Sequence, residues 1–109
     1  MTLDPAVVVL PAFTTAEYTG DASEVAHWHD RYDFDREVDI DGCKHELLYA
    51  SEPDIALVPT GIGKSEAATT VTALAAGDTV ALDDATILTV GIAGCNPAAG
   101  TLGSVFISD

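Results

Sequence analysis

The sequence predicts an α/β domain, and three observations carry that expectation. A continuous β-branched run near the start, Ala6–Phe13, reads as a strand buried on both faces of a parallel sheet. A second apolar run at Ile55–Val58, a helix-like segment after it and a third run at Thr86–Ala93 form one strand–helix–strand unit. Strands joined in that way run parallel, with a right-handed crossover. Apolar residues make up 48% of the 109 positions, which is the composition of a folding chain with one modest core.

The elements follow in order. Pro11 ends the first strand. In the polar stretch after it, Asp21 or Ser23 caps a short helix running to about Arg31, with Glu24 in its first turn. Val25, Trp28 and Tyr32 stand three and four apart and give that helix an apolar side. The next segment alternates: Phe34, Val38 and Ile40 share one parity, while Asp33, Asp35, Glu37, Asp39 and Asp41 share the other. That is a strand with a wet acidic face, and Asp41-Gly42 is a hairpin signal, so a peripheral hairpin returning through Lys44–Tyr49 is expected. Ser65 starts the longer helix, in which Ala67, Ala68, Val71, Leu74 and Ala75 form the expected buried stripe and Gly77 the stop. A last strand is expected at about Ser104–Ile107, after the Asn96-Pro97 turn.

Charge narrows the function. Eighteen Asp and Glu face four Lys and Arg, a net charge of −14. Such a surface repels phosphate backbones and anionic membranes, so no nucleic-acid partner is expected; its plain reading is solubility in high salt, as in halophilic proteins. The apolar runs are too short to span a bilayer, and the N-terminus has no base ahead of its apolar run, so a cytoplasmic location is expected. Cys43 and Cys95 lie far apart and outside any Cys-x-x-Cys pattern, which points to free buried thiols in a reducing compartment.

"TGIGKS", Thr60–Ser65, looks like the end of a P-loop, but the first glycine of that pattern is replaced by Val58, so a triphosphate wrap is not expected. "TGIG" and "GIAG" (Gly91–Gly94) both follow the carboxyl ends of parallel strands and therefore share one rim of the sheet, where open α/β sheets bind ligands. Glycines let backbone amides approach a ligand, and a helix start favours an anion or an oxygen-rich group, with Lys64 and Ser65 as the candidate phosphate or anion contacts. A solvated first-turn Lys64 and a capping Ser65 are the bland alternatives. "EVDIDG" (Glu37–Gly42) lacks the closing glutamate of a calcium loop, where Leu48 stands. His27 and His29 point different ways on a helix, and Glu24 with His27 makes only two ligands, so no metal is expected. His45 falls in the hairpin and is expected to be exposed. No Gly-x-Ser-x-Gly elbow is present, so Ser65 and Ser104 do not assemble a serine-based site.

"TGIGKSEAATTVTAL", "VGIAGCNPAAGTLGSV" and "TGDASEVAHWHDR" together resemble the purine nucleoside permease family. More distantly they resemble purine nucleoside phosphorylases and the nucleosidases that cleave adenosyl thioethers. The resemblance spans nearly the whole chain and is most specific over Thr60–Val105. It implies part of a three-layer α/β/α sandwich of the phosphorylase type, formed by residues 1–109 as one truncated N-terminal portion of a longer domain. The ligand it implies is a purine nucleoside, with Gly61, Ile62, Gly63, Ile92, Ala93 and Gly94 lining its pocket. No cofactor is expected, and either inorganic phosphate as co-substrate or water would attack the sugar. In the hydrolytic relatives a serine often stands where Ile92 is, and an acid follows the first strand where Thr14 and Thr15 stand here, with Glu17 a little later. The acid that protonates the purine lies in the later half of those proteins. Glycosidic cleavage is therefore implied for an intact protein and no turnover for this chain alone. A nucleoside-binding component of transport without chemistry and a domain serving only in assembly are the open alternatives. An exposed sheet edge would favour a homo-oligomer.

Overall fold

A computed structural model describes residues 2–13, 24–92 and 94–108. They form a mixed α/β fold: a five-stranded sheet in the order β2-β3-β4-β1-β5, with two helices. The expected capping residues Asp21 and Ser23, together with Thr14, Thr15, Glu17 and Ala93, lie outside the described residues.

The first strand, β1 (Val7–Pro11), is interior to the sheet. It pairs in parallel with β4 (Ile55–Leu57) on one side and with β5 (Thr86–Val90) on the other. Alternation along β1 divides the core in two. Val8 and Leu10 join Leu47, Tyr49, Val58 and Leu74 on one face, and Val9 joins Val25, Leu48, Leu57 and the partly buried Trp28 on the other. An unbroken apolar strand is what a sheet with a core on both faces requires.

Several expectations about the sheet are corrected. The hairpin is not peripheral: β2 (Arg36–Val38) forms an edge, but β3 (Leu47–Ala50) lies antiparallel between β2 and β4 and is buried throughout. Its run Leu47-Leu48-Tyr49-Ala50 has no polar parity, so both faces need cover. Phe34 also leaves the expected parity. It precedes β2 and packs with Trp28 and Tyr32, on the face opposite to Val38 and Ile40. The β4 and β5 strands are parallel as expected but not adjacent, because β1 is inserted between them. β5 itself is not a buried strand: among the described residues it pairs only with β1, and Ile87 and Leu88 are exposed. No strand forms at residues 104–107.

The helices show what local patterning resolves. Helix α1 (Ala26–Arg31) is short, and its Trp28 shares the predicted apolar cluster with the flanking Val25 and Tyr32. Trp28 and Tyr32 stack with ring centroids 6.2 Å apart. Helix α2 (Lys64–Ala76) starts one residue before Ser65, behind Gly63, whose φ of +96° places it in the left-handed region that favours glycine. Its buried residues are Thr70 and Leu74, with Ala67 and Ala73 half-buried, while Ala68, Val71 and Ala75 are exposed. The expected stripe is thus rotated. "KSEAATTVTALAA" is small or apolar nearly all round, so its periodicity does not single out a face. One contact that helps fix the face is polar: Thr70 Oγ1 donates to the Thr60 carbonyl at 3.2 Å.

Candidate functional site: a cleft at the carboxyl rim of the sheet

Parallel pairing brings the carboxyl ends of β1, β4 and β5 to one rim. Pro11 lies opposite Val90, and the Thr60 N–H donates to the Pro11 carbonyl at 2.8 Å. The turns that begin at Gly61 and Gly91 therefore leave the same edge, on either side of the end of β1. With one strand between them they stand about 9–10 Å apart, two inter-strand spacings.

The first turn is held from several directions. Thr60 is buried, and its Oγ1 donates to the Gly61 carbonyl at 2.9 Å. Gly61 has φ +90°, and a side chain there would collide with the carboxyl group of Glu66. Glu66 is the third residue of α2 and reaches back to the Ile62 N–H, much as a glutamate at the third helical position does in a capping box. It also pairs with Lys44 Nζ at 2.9 Å, across from the hairpin turn. The hydrogen bond from Lys44 is the leading cause that holds the Glu66 carboxyl below the usual range; partial burial opposes it, and the Ile62 amide assists.

The end of β1 is held by a second carboxylate. Glu24 Oε2 accepts hydrogen bonds from the Ala12 N–H at 2.8 Å and the Phe13 N–H at 3.0 Å. Its other oxygen reaches towards Gly91 at the end of β5: it lies 3.7 Å from where a Cβ on that glycine would stand. Glu24 comes from just ahead of α1. This also answers the pairing of Glu24 with His27: the carboxylate is engaged at the rim, and His27 is exposed.

These elements enclose a cleft of about 290 Å³ lined by Ala12, Phe13, Lys44, His45, Gly61, Ile62 and Glu66. A hollow of about 170 Å³ lies beside it, lined by Gly42, Ser65, Thr60, Thr69 and Thr70 and sharing Lys44 and Glu66. His45 is half-buried and not exposed as expected. Burial lowers its pKa first and the Lys44 charge second, with Glu66 opposing, so the neutral imidazole prevails at pH 7.

The sequence-predicted residues divide accordingly. Gly61 and Ile62 line the cleft, Gly63 sits at the helix start beside it, and Ser65 lines the hollow. Lys64 is exposed and lines neither. Ile92 and Gly94 share the rim but line neither space, and both are exposed. Phe13, Glu24, Lys44, His45 and Glu66 were not read from the sequence as parts of one site. Only Glu66 had a local signal, its place three residues into a helix; the others meet it through contacts distant in sequence. Cys43 is half-buried, with burial and Asp39 raising its thiol pKa, whereas Cys95 is exposed and not buried as expected; both are free. Among the described residues no group of three or more His, Cys, Asp or Glu is placed to hold a metal ion.

Chemically, the rim is less anion-receptive than its glycines suggest, because the amides of Ala12 and Phe13 already serve Glu24. The cleft presents an aromatic ring, an apolar side chain, a neutral imidazole and an ion pair. Such a lining suits an uncharged, hydroxyl-rich ligand with a planar ring.

A family model described as Purine nucleoside permease (NUP) matches residues 4–109. No curated protein and no solved structure matches the chain. Among the described residues no helix is long and apolar enough to cross a membrane.

Proposed function

Because the chain belongs to the purine nucleoside permease family, we propose that it handles a purine nucleoside by binding it in the rim cleft. The observation that carries this reading is the convergence of Phe13, His45, Ile62 and the Lys44–Glu66 pair around about 290 Å³. That volume is at the small end for ligand pockets and suits one nucleoside-sized molecule. The Phe13 ring offers a face for the base. The Glu66 carboxylate accepts hydrogen bonds from sugar hydroxyls, and the neutral His45 both donates and accepts. Gly61 and Ile62 contribute backbone approach and apolar contact.

Binding without turnover is favoured over glycosidic cleavage by one feature. A phosphate arriving at the rim meets the Glu24 carboxylate on amides that would otherwise receive it. The test is calorimetric titration with inosine and adenosine, with and without phosphate, in salt high enough to hold the acidic chain folded. Saturable heat that phosphate does not alter is expected, with no free purine released. Absence of heat at millimolar nucleoside would overturn the binding reading, and purine release dependent on phosphate would overturn the non-catalytic one.

A further inference from the structure

The walls of the cleft offer an anion little to hold. Among the described residues, Lys44 is the only lysine or arginine lining the cleft or the hollow beside it. Its Nζ lies 2.9 Å from Glu66 Oε1, and both residues belong to the lining that the two spaces share. Their charges cancel there. The N–H groups of Ala12 and Phe13, which also line the cleft, are taken by Glu24 Oε2 at 2.8 and 3.0 Å. His45 is neutral at pH 7, held so by burial and by the Lys44 charge. The negative charge of Glu24 is left over, in a chain whose net charge is −14.

We propose that Glu66 is the residue that makes the cleft selective for uncharged nucleosides over their phosphate esters, by holding the single lysine of the site in an ion pair. The inference rests on the nucleoside reading of the cleft and deepens it. A nucleoside and its monophosphate share base and sugar, so Phe13, Ile62 and His45 meet the same atoms in both. What differs is a group carrying about −1.5 to −2 charges at pH 7. An unpaired lysine is a ready partner for that group. Lys44 is not unpaired: a phosphate that approaches its ammonium also meets the Glu66 carboxylate, which the Lys44 hydrogen bond keeps ionised. A repulsive element of this kind separates two ligands whose attractive contacts are alike. Glu66→Gln keeps the size of the side chain, removes the repulsion and releases the cation.

The experiment is calorimetric titration of the full chain with inosine and with inosine monophosphate at pH 7, each variant first checked for folding by circular dichroism. The parent chain is expected to bind the monophosphate about tenfold or more weakly than inosine, and Glu66→Gln to reduce that ratio about tenfold, as loss of a like charge at contact does. In the double variant Glu66→Gln/Lys44→Met the gain is expected to vanish, because the cation that receives the phosphate is gone. Lys44→Met alone leaves Glu66 uncompensated and widens the ratio, and it carries the test if Glu66→Gln does not fold. Added salt narrows the ratio in the parent chain by screening. Equal binding of the two ligands by the parent chain overturns the proposal. So does a ratio unmoved by both Glu66→Gln and salt, which would mean that the cleft is merely too small for the phosphate, or a gain that survives loss of Lys44. A parent chain that binds neither ligand removes the nucleoside reading itself, and the inference with it.

Discussion

Replacing Leu74 and Val71 by alanine, one at a time, tests the orientation of α2 and with it the placement of the rim. Periodicity puts both side chains on one buried stripe, whereas the fold buries only Leu74, at 3% exposure, and leaves Val71 at 42%. Leu74 packs in the cluster that includes Val8, Leu10 and Tyr49. Leu74→Ala removes three buried carbons and leaves a gap, a change that costs about 2–5 kcal/mol, with about 3 expected here. Val71→Ala removes two carbons already half in water. It also gains helix propensity, so its net effect is within about 0.5 kcal/mol of zero. In melting temperature that is a drop of about 12–24 °C against a few degrees or less, at about 4–8 °C per kcal/mol for a domain near this size. The assay is thermal and urea denaturation followed by circular dichroism, all variants at one fixed salt concentration. A third variant, Ala68→Glu, sharpens it: near-neutral if that face is wet, several kcal/mol if it is buried. Comparable losses for Val71→Ala and Leu74→Ala, or a collapse of Ala68→Glu, would refute the orientation and remove Thr70 from the rim.

Three further outcomes are expected. Thr70→Val keeps the shape but deletes the hydrogen bond to the Thr60 carbonyl and lowers stability by about 1–2 kcal/mol, while Thr70→Ser keeps the bond and, in the calorimetric titration, keeps the nucleoside affinity. The lowered pKa of Glu66 gives it a stabilising contribution that is fully present above its ordinary value of 4.5 and is lost as pH falls through the folded value. The stability gap between the parent chain and Glu66→Gln, from urea titrations at a series of pH values, is therefore widest above pH 4.5 and closes in more acid solution; a gap that widens with acid would contradict the assignment. Phe13→Ala removes the ring offered to the base and weakens inosine and adenosine binding about fivefold to a hundredfold, since stacking a base on an aromatic side chain is worth about 1–3 kcal/mol.

What the sequence determined by itself was the inventory of segments whose signal is local. The runs at β1 and β4 announced buried parallel strands because β-branched residues without polar alternation have no other stable place. Val25, Trp28 and Tyr32 announced a helix side, and the two glycine turns announced a shared rim because parallel strands end on the same edge. The family, too, was legible in the motifs around those turns. The tertiary structure alone decided which strand stands beside which: that β1 separates β4 from β5, and that β3 enters the sheet. Strand order depends on contacts between residues far apart in the chain, and no local period encodes them. The same reason explains the site. Glu24 and Glu66 reach their amides, and Lys44 and His45 reach the cleft, only after a hairpin, a sheet and two helices have closed around one another, so the identity of each side chain was readable but its neighbours were not.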